Sequence, residues 1–236
     1  KPMKNKKIEL YVDGLKLEEF EDNLGTEVDG YTFNPSIFRK NGAKNYIEYC
    51  KNILSKTKDK PVSFEVIADE KDSMTSQAKI LSSLSESVFV KIPIIFTNGK
   101  STIEVAKYCV SNNIKMNITA IFTIDQILKI LPVIKDTQNI LSIFAGRIFD
   151  RGINAFNVMK EINLTVEENT KCKTLWASPR MSYDYIAAIE SNTDIITMQP
   201  EQIKKLKKFG KNLDQYSKET VKQFFDDAQS SGYEIK

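Results

Sequence analysis

Short apolar runs alternate with longer segments of helical periodicity along almost the whole chain of 236 residues. Short runs rich in β-branched and aromatic residues indicate buried strands, whereas apolar residues spaced about three or four apart indicate helices. The pattern predicts strands at Ile8–Val12, Val28–Phe33, Val62–Ala68, Val88–Ile92, Met116–Phe122, Ile140–Phe144, Thr174–Ala177 and Asp194–Met198.

Helices are predicted between these strands, and Thr123 is the expected N-cap of one of them. They cover Ala43–Ser55, Ser73–Leu84, Thr102–Asn112, Ile124–Lys135, Ile153–Ile162, Ser182–Glu190, Glu201–Lys208 and a terminal helix near Ser217–Ser230. Eight rounds of strand and helix predict a single-domain (β/α)8 TIM barrel over residues 1–236, with a C-terminal helix at about 215–232. An open doubly wound sheet is the alternative, but its glycine-rich phosphate loop is absent.

The chain contains no histidine. This excludes imidazole acid–base catalysis, Ser-His-Asp and Cys-His nucleophiles, and histidine-ligated zinc or haem. The three cysteines, Cys50, Cys109 and Cys172, are too widely spaced for a metal-ligand pattern and suit a reducing compartment. Proton transfers in an enzyme of this composition therefore fall to carboxylates, lysine, tyrosine or water.

The charge balance is nearly even, with 34 basic and 31 acidic residues and a formal net charge of +3. Such a balance gives no general attraction for nucleic acid or for a membrane surface. No apolar run approaches the length of a membrane span. We therefore expect a cytoplasmic protein with neither nucleic acid nor membrane as a partner.

Polar residues interrupt or follow the predicted strands at positions where a buried strand is normally apolar. Barrels of this kind assemble their sites at the carboxyl ends of the strands, so we expect these residues to meet there. They are Asp13, Asn34, Glu65, Lys91, Asn117, Thr119, Ser142, Arg147, Ser178, Arg180, Thr197 and Gln199.

Lys91 lies inside the most apolar strand of the chain, between Val90 and Ile92. Burial disfavours a charged ammonium, and a neutral amine is the nucleophile that attacks a carbonyl group to form a Schiff base. A lysine that extends from the strand end towards a carboxylate is an equally supported alternative.

Two carboxylates are candidates for proton transfer near Lys91. The strand alternation turns Glu65 towards the same interior, where it could relay protons through a water, or serve only as an ion-pair partner of Lys91. Asp13 could accept a proton from a substrate hydroxyl, although an Asp-Gly pair is also a common turn sequence.

Arginine is rare in this lysine-rich chain and occurs only at Arg39, Arg147, Arg151 and Arg180. Arg147 and Arg180 follow strands 6 and 7, near the position where many barrels bind phosphate. Together with the Ser178 hydroxyl they could clamp a phosphate, and surface ion pairs are the alternative. Arg39 and Arg151 favour surface roles.

Seven segments in order along the chain, each near the end of a different strand, resemble the transaldolase family, in particular its short-subunit branch that includes fructose-6-phosphate aldolases. They are Leu10–Asp13 (LYVD), Val28–Ser36 (VDGYTFNPS), Pro61–Val66 (PVSFEV), Val90–Pro93 (VKIP), Asn117–Thr119 (NIT), Phe144–Arg147 (FAGR) and Ala177–Arg180 (ASPR).

The resemblance implies a class I aldolase-type barrel that needs no cofactor and acts on sugar phosphates, as in the pentose phosphate pathway. Lys91 matches the Schiff-base lysine, and Asp13 matches the carboxylate that assists C–C cleavage. Glu65 and Thr119 match the pair that holds the catalytic water. The remaining matches are Asn34, Asn117 and Ser142 for substrate hydroxyls or orientation of the lysine, and Arg147, Ser178 and Arg180 for phosphate.

Two positions distinguish the branches of the family in this resemblance. Simple aldolases pair a glutamine at the Glu65 position with a tyrosine at the Phe144 position, and here both residues have the transferase identity. A transaldolase is therefore the favoured expectation, and a simple aldolase or a sugar-phosphate-binding barrel without turnover are the alternatives. The chain departs from the family at Gly14, at Phe33 and in the longer apolar loop 94–100.

The resemblance also implies a homo-oligomer. The short-subunit branch often forms rings in which C-terminal helices are exchanged. Here Val221, Phe224 and Phe225 give the terminal helix an apolar surface that could pack on a neighbouring copy.

Overall fold

The computed structural model describes residues 6–168 and 170–236. Eight parallel strands close into a barrel in chain order, and β1 pairs with both β2 and β8. The strands are β1 Glu9–Asp13, β2 Gly30–Thr32, β3 Val62–Glu65, β4 Val88–Pro93, β5 Met116–Ile121, β6 Ile140–Ile143, β7 Lys173–Trp176 and β8 Ile195–Met198. The predicted (β/α)8 barrel is confirmed.

Helices connect the successive strands from β2 onwards, and a 3₁₀ turn lies between β1 and β2. The helices are α1 Pro35–Lys40, α2 Tyr46–Leu54, α3 Lys71–Ser82, α4 Ile103–Ser111, α5 Ile124–Ile134, α6 Ala145–Phe149, α7 Ala155–Glu167, α8 Asp184–Glu190, α9 Pro200–Lys204 and α10 Leu213–Ser231. Short 3₁₀ turns cover Leu17–Glu19 and Lys205–Lys208. Thr123 caps α5 as predicted, because its side chain accepts a hydrogen bond from the Gln126 amide.

Strand β3 is shorter than the sequence predicts, since it ends at Glu65 and not at Ala68. The backbone amides of Ile67 and Ala68 donate to the Gln77 side-chain oxygen of α3, at 2.8 and 2.9 Å. The Val66 amide still donates to the Lys91 carbonyl oxygen at 3.1 Å, so a side chain replaces strand pairing from Ile67 onwards.

Two short helices, α1 and α6, follow β2 and β6 and were not predicted. Both are too short to show a hydrophobic period. The start of α1 does have a local signal, because the Asn34 side chain accepts a hydrogen bond from the Ile37 amide at 2.8 Å and Pro35 occupies the first helical position.

The inner face of several strands changes from apolar to polar towards the carboxyl end. Residues two apart in a strand share a face, so each pair points inwards together. In four strands, an apolar residue that packs inside the barrel is followed two positions later by a residue that lines a polar cavity. The pairs are Tyr11 and Asp13, Phe89 and Lys91, Ile140 and Ser142, and Ile195 and Thr197. The barrel therefore has an apolar floor below a polar opening.

Gly30 allows this floor to close against β1. A Cβ atom at position 30 would lie 2.7 Å from the Tyr11 ring and 2.9 Å from the Pro61 carbonyl oxygen. Only glycine lets the buried Tyr11 ring lie against β2, opposite its register partner Gly30.

Residues 205–236 form a separate compact unit that consists of the second 3₁₀ turn and α10. Helix α10 begins at Leu213, two residues before the predicted helix at about 215–232 and four before the predicted start near Ser217, because the Asn212 side chain accepts a hydrogen bond from the Gln215 amide at 3.1 Å. Its side chains at Val221, Phe224 and Phe225 are more than half exposed. Within the described residues no helix is long and apolar enough to cross a membrane.

Candidate active site

A cavity of about 110 Å³ opens at the carboxyl ends of the strands. Most of the predicted site residues line it, although they come from several different strands and the loops that follow them. The lining residues are Asp13, Thr32, Asn34, Lys91, Thr119, Ser142, Phe144, Arg147, Leu175, Ala177, Ser178 and Thr197.

Lys91 lies in the wall of this cavity and is 7% exposed. Its Nζ atom donates a hydrogen bond to the Phe33 carbonyl oxygen at 3.0 Å and lies 3.7 Å from Glu65 Oε1. Glu65 and Lys91 are register partners on β3 and β4, which explains why the two side chains meet. The predicted neighbourhood of the amine and the carboxylate is thus present, and an ion pair and a catalytic pair both fit this distance.

Both carboxylates near Lys91 are held in conditions that favour their protonated forms. Burial raises the pKa of Glu65, and the Lys91 charge opposes part of this rise. Burial likewise raises the pKa of Asp13, opposed by the Lys91 charge and by a hydrogen bond from Thr32. A carboxylate with a raised pKa is suited to accept and return protons near neutral pH.

Thr119 has the unpaired hydroxyl of the site. The Thr119 Oγ1 atom is buried and has no hydrogen-bond partner among the described residues. The pairing of β5 with β6 shifts register between Ile118 and Ile121, and Ala120 has a left-handed φ of 59°. Such a backbone costs about 1 kcal/mol or more, and bulges of this kind re-aim side chains near sites. The Thr119 hydroxyl is thus available to a water or a ligand.

Asn117 is held rigidly beneath the cavity by two hydrogen bonds. Its Nδ2 donates to Ser63 Oγ at 3.1 Å, and its Oδ1 accepts from Ser142 Oγ at 2.6 Å. This arrangement orients Ser142 in the cavity wall, whereas Asn117 does not line the cavity and touches it only through Ser142. Ser63 was not among the predicted site residues, although it precedes Glu65 by two positions on the same face.

A second group of hydroxyls leads to Asp13, and the strand pattern marks Thr197 among them but not Thr32. Thr32 Oγ1 donates to Asp13 Oδ1 at 2.8 Å and lies 2.5 Å from Thr197 Oγ1. The sequence marks Thr197 only as a polar residue of strand 8, and Thr32 only as part of a motif. Strand alternation could have placed both hydroxyls inside the barrel, because Thr32 follows Gly30 by two positions in β2 and Thr197 follows Ile195 by two positions in β8.

The three predicted phosphate residues lie at the same side of the opening but differ in their contacts. Arg147 and Ser178 line the cavity, and the Arg147 side chain makes no hydrogen bond or ion pair to other described residues. Arg180 is exposed, and its guanidinium forms a two-point ion pair with Asp150, with Nε 3.1 Å from Oδ1. The structure thus places Arg180 at the rim, bound to a carboxylate.

Gly146 allows α6 to approach the loop after β7. A Cβ atom there would lie 1.5 Å from the Ser178 carbonyl oxygen and 3.2 Å from Arg180 Cδ. Ser178 itself has a left-handed φ of 58°. The glycine of the FAGR segment therefore brings Arg147, Ser178 and Arg180 to one region.

The fold and the site together define a (β/α)8-barrel protein with a buried lysine, two carboxylates and several hydroxyls at the carboxyl ends of its strands. The chain belongs to the transaldolase/fructose-6-phosphate aldolase family, whose model matches residues 10–235.

Relatives of known name support this membership. The chain is 32% identical over 203 residues to a probable transaldolase from Bartonella henselae, covering 84% of this chain and 88% of that protein. It is 31% identical over 205 residues to a probable transaldolase from Brucella ovis, covering 85% of this chain and 89% of that protein.

Solved structures share the fold at low sequence identity. Thiamine phosphate pyrophosphorylase from Pyrococcus furiosus superimposes with a TM-score of 0.57 at 13% identity, covering 85% of this chain and 94% of that chain. A structure named as a lactate oxidase from Pediococcus acidilactici superimposes with a TM-score of 0.56 at 10% identity, covering 84% of this chain and 64% of that chain. At such identities the likeness concerns the barrel alone.

Proposed function

We propose that this protein is a transaldolase that transfers a dihydroxyacetone unit from a ketose phosphate to an aldose phosphate through a Schiff base on Lys91. The observation that carries the proposal is the buried Lys91 amine in a polar cavity, with the Glu65 carboxylate 3.7 Å away. The family membership gives this arrangement its chemical direction.

The first step is attack of the neutral Lys91 amine on the carbonyl carbon of the ketose. The carbinolamine that forms loses water and becomes a protonated imine, which is the electron sink for the next bond cleavage. Glu65 is the nearest carboxylate to Nζ and has a raised pKa, so it can take the proton that the ammonium must lose. The unpaired Thr119 hydroxyl would hold the water that leaves and later returns.

Asp13 is the base for the cleavage itself. It accepts the proton of the substrate hydroxyl next to the scissile C–C bond, the bond breaks, and its electron pair moves into the imine to form an enamine. An aldose phosphate leaves as the free aldehyde. A second aldehyde is then attacked by the enamine, and Asp13 returns its proton to the new hydroxyl. Water finally hydrolyses the imine and restores the Lys91 amine.

Phosphate recognition is assigned to Arg147 with Ser178, because both line the cavity. Arg180 contributes from the rim. Its ion pair with Asp150 uses one N–H of Nε and one of a terminal nitrogen, and the other guanidinium N–H groups remain for a phosphate. Charge-assisted hydrogen bonds of this kind are what a phosphorylated sugar requires.

Phe144 supports a transferase rather than a simple aldolase. Its ring packs against the apolar floor and lies 5.8 Å from the Phe122 ring, and it has no proton to give. The enamine would therefore wait for an aldehyde acceptor and would not be released as free dihydroxyacetone. The simple aldolase remains the second candidate, since the same Lys91 chemistry serves it.

A transfer assay distinguishes the two reactions. The enzyme is given fructose 6-phosphate with or without erythrose 4-phosphate, and sedoheptulose 7-phosphate, glyceraldehyde 3-phosphate and free dihydroxyacetone are measured. Seven-carbon product that appears only with the acceptor supports the proposal. Stoichiometric free dihydroxyacetone without an acceptor contradicts it and identifies a simple aldolase.

We further propose that the protein works in cytoplasmic sugar phosphate metabolism as a homo-oligomer. The three free cysteines are buried, which suits a reducing compartment. Helix α10 exposes Val221, Phe224 and Phe225, and a second copy is the partner that the family resemblance suggests for them. Analytical ultracentrifugation of the whole chain tests this. A monomer at micromolar concentration contradicts it, and so does an oligomer that Phe224→Asp leaves intact.

A further inference from the structure

Two threonine hydroxyls, first Thr197 and then Thr32, form a hydrogen-bonded line that ends at the Asp13 carboxylate. Thr197 Oγ1 lies 2.5 Å from Thr32 Oγ1, and Thr32 Oγ1 lies 2.8 Å from Asp13 Oδ1. The strands that carry them are β8, β2 and β1, and β1 lies between the other two. Thr32 and Thr197 are only 2% and 5% exposed, so solvent does not compete for these contacts.

The direction of the hydrogen bonds follows from the number of protons. A threonine hydroxyl has one proton to donate, and a carboxylate can only accept. While Asp13 is ionised, the single proton of Thr32 is therefore used on Asp13, and the short contact to Thr197 requires Thr197 to donate to Thr32. Among the described residues, Thr32 and Thr197 make no other side-chain hydrogen bonds.

Other charged neighbours cannot replace this line. The group that faces Asp13 from β4 is the Lys91 ammonium, which favours the ionised carboxylate, while burial opposes it. During the proposed reaction Lys91 loses its ammonium proton before it attacks the substrate. The hydroxyl line then remains as a neutral source of stabilisation for the Asp13 carboxylate, and it binds one oxygen only.

We propose that Thr197 is a positioning residue for Asp13, because its donation to Thr32 commits the Thr32 proton to Asp13 Oδ1 and leaves Oδ2 for the substrate hydroxyl. This inference rests on the proposed role of Asp13 as the base. The Thr197 hydroxyl donates its proton to Thr32 and not to Asp13, so Thr197 affects Asp13 only through Thr32.

Removal of the Thr197 hydroxyl has a defined consequence. Thr32 still reaches Asp13, but it no longer receives a hydrogen bond, so its own donation weakens and its hydroxyl is free to turn away. The carboxylate then loses part of its stabilisation, and the pKa of Asp13 rises above its already raised value. We expect kcat to fall at a given pH, with little change in KM.

Thr197→Val tests this because valine keeps the shape and removes the hydroxyl. The main readout is the titration of the Asp13 carboxyl by NMR of protein with ¹³C-labelled aspartate, with the Asp13 signal assigned by Asp13→Asn. We expect an upward shift of about 0.5–1 pH unit, the size that one ordinary hydrogen bond supports. Thr197→Ser restores the wild-type titration. If Thr197→Val does not fold, Thr197→Ala removes the same hydroxyl with a smaller, unbranched side chain.

Thr174→Val is the matched control. Thr174 is also a buried strand threonine, and its hydroxyl contacts Asn163 Oδ1 at 2.6 Å and Asp194 Oδ2 at 3.3 Å, but it does not line the cavity. An Asp13 titration that Thr197→Val leaves unchanged, or that Thr174→Val shifts equally, overturns the inference. The NMR titration does not need turnover, so it decides on Thr197 even if the transfer assay shows no transaldolase activity.

Discussion

The Lys91 amine lies 3.7 Å from Glu65 Oε1 but donates its hydrogen bond to the Phe33 carbonyl oxygen, 3.0 Å away. The carboxylate therefore balances the charge of the lysine without being locked to it. A pair of this kind can exchange a proton when the substrate arrives, whereas a tight ion pair would have to be broken first.

Glu65→Gln is the first test of this relationship. The variant keeps the shape of the side chain and removes its ability to accept the Lys91 proton. Because Phe144 has no group that could accept or return this proton instead, we expect kcat for the transfer reaction to fall about 10²-fold.

The pH dependence of the wild-type and Glu65→Gln enzymes gives a second readout. Burial raises the pKa of Glu65, so wild-type activity should be lost as pH falls through a value above that of an ordinary carboxyl group. No histidine exists to account for that limb. Unchanged activity together with an unchanged pH profile would show that Glu65 is only a charge partner.

Asp13→Asn should separate activity from stability. Burial raises the pKa of Asp13 in the folded state, so ionised Asp13 destabilises the fold, and this cost is absent at pH values below its unfolded-state pKa. The cost appears as pH rises from the unfolded-state pKa and is complete above the folded-state pKa. We expect the variant to lose activity by about 10²- to 10⁴-fold and to have a Tm at pH 7 at least equal to that of the wild type. Retained activity, or a Tm that falls at pH 7, would argue against this assignment.

Phe144→Tyr should convert part of the transfer activity into simple cleavage. The added phenol lies where it can protonate the enamine, and the three-carbon unit then leaves as dihydroxyacetone without an acceptor. Phe122→Tyr adds the same hydroxyl to the neighbouring ring, 5.8 Å away, and serves as the control. Free dihydroxyacetone from fructose 6-phosphate alone is the quantity to measure, and equal amounts from both variants would refute the role of position 144.

Arg147→Ala should weaken binding of phosphorylated sugars only. Loss of a charge-assisted contact predicts a rise in KM for fructose 6-phosphate of about 10- to 100-fold, with little change for unphosphorylated fructose. Arg151→Ala removes an exposed arginine just beyond α6 and is the control. Arg180→Ala should have a smaller effect, because Asp150 already binds that guanidinium. A parallel loss for both sugars would assign Arg147 to the stability of the site rather than to phosphate.

Much of the barrel could be predicted from the sequence because strand and helix periodicities were clean. Lys91 was conspicuous for a physical reason, since a charge inside a buried strand requires an explanation. The same logic located Glu65 and Asp13. Side chains with uncommon chemistry at the ends of apolar strands are therefore recognisable in the amino-acid sequence alone.

Other parts of the site depended on contacts that no local pattern encodes. Threonine is frequent in strands, so Thr32 has no signal of its own, and Thr197 is marked only as a polar residue of a buried strand. Only the folded barrel brings their hydroxyls together. The partner of Arg180 is Asp150, thirty residues earlier in the chain. The unpaired Thr119 hydroxyl lies beside a register shift of β5 and a left-handed Ala120, which alternation alone does not predict.

Reductive trapping tests directly whether Lys91 forms a Schiff base with the substrate. The protein is incubated with fructose 6-phosphate and borohydride, digested, and examined by peptide mass spectrometry, with Lys91→Ala and the surface-lysine variant Lys173→Ala in parallel. Lys173 is bound to Glu9 on the barrel exterior and should not matter. If Lys91 forms the Schiff base, a stable three-carbon adduct appears on Lys91 in the wild type and in Lys173→Ala, and none appears in Lys91→Ala. An active wild-type enzyme without that adduct, or with the adduct on another lysine, would contradict this role of Lys91.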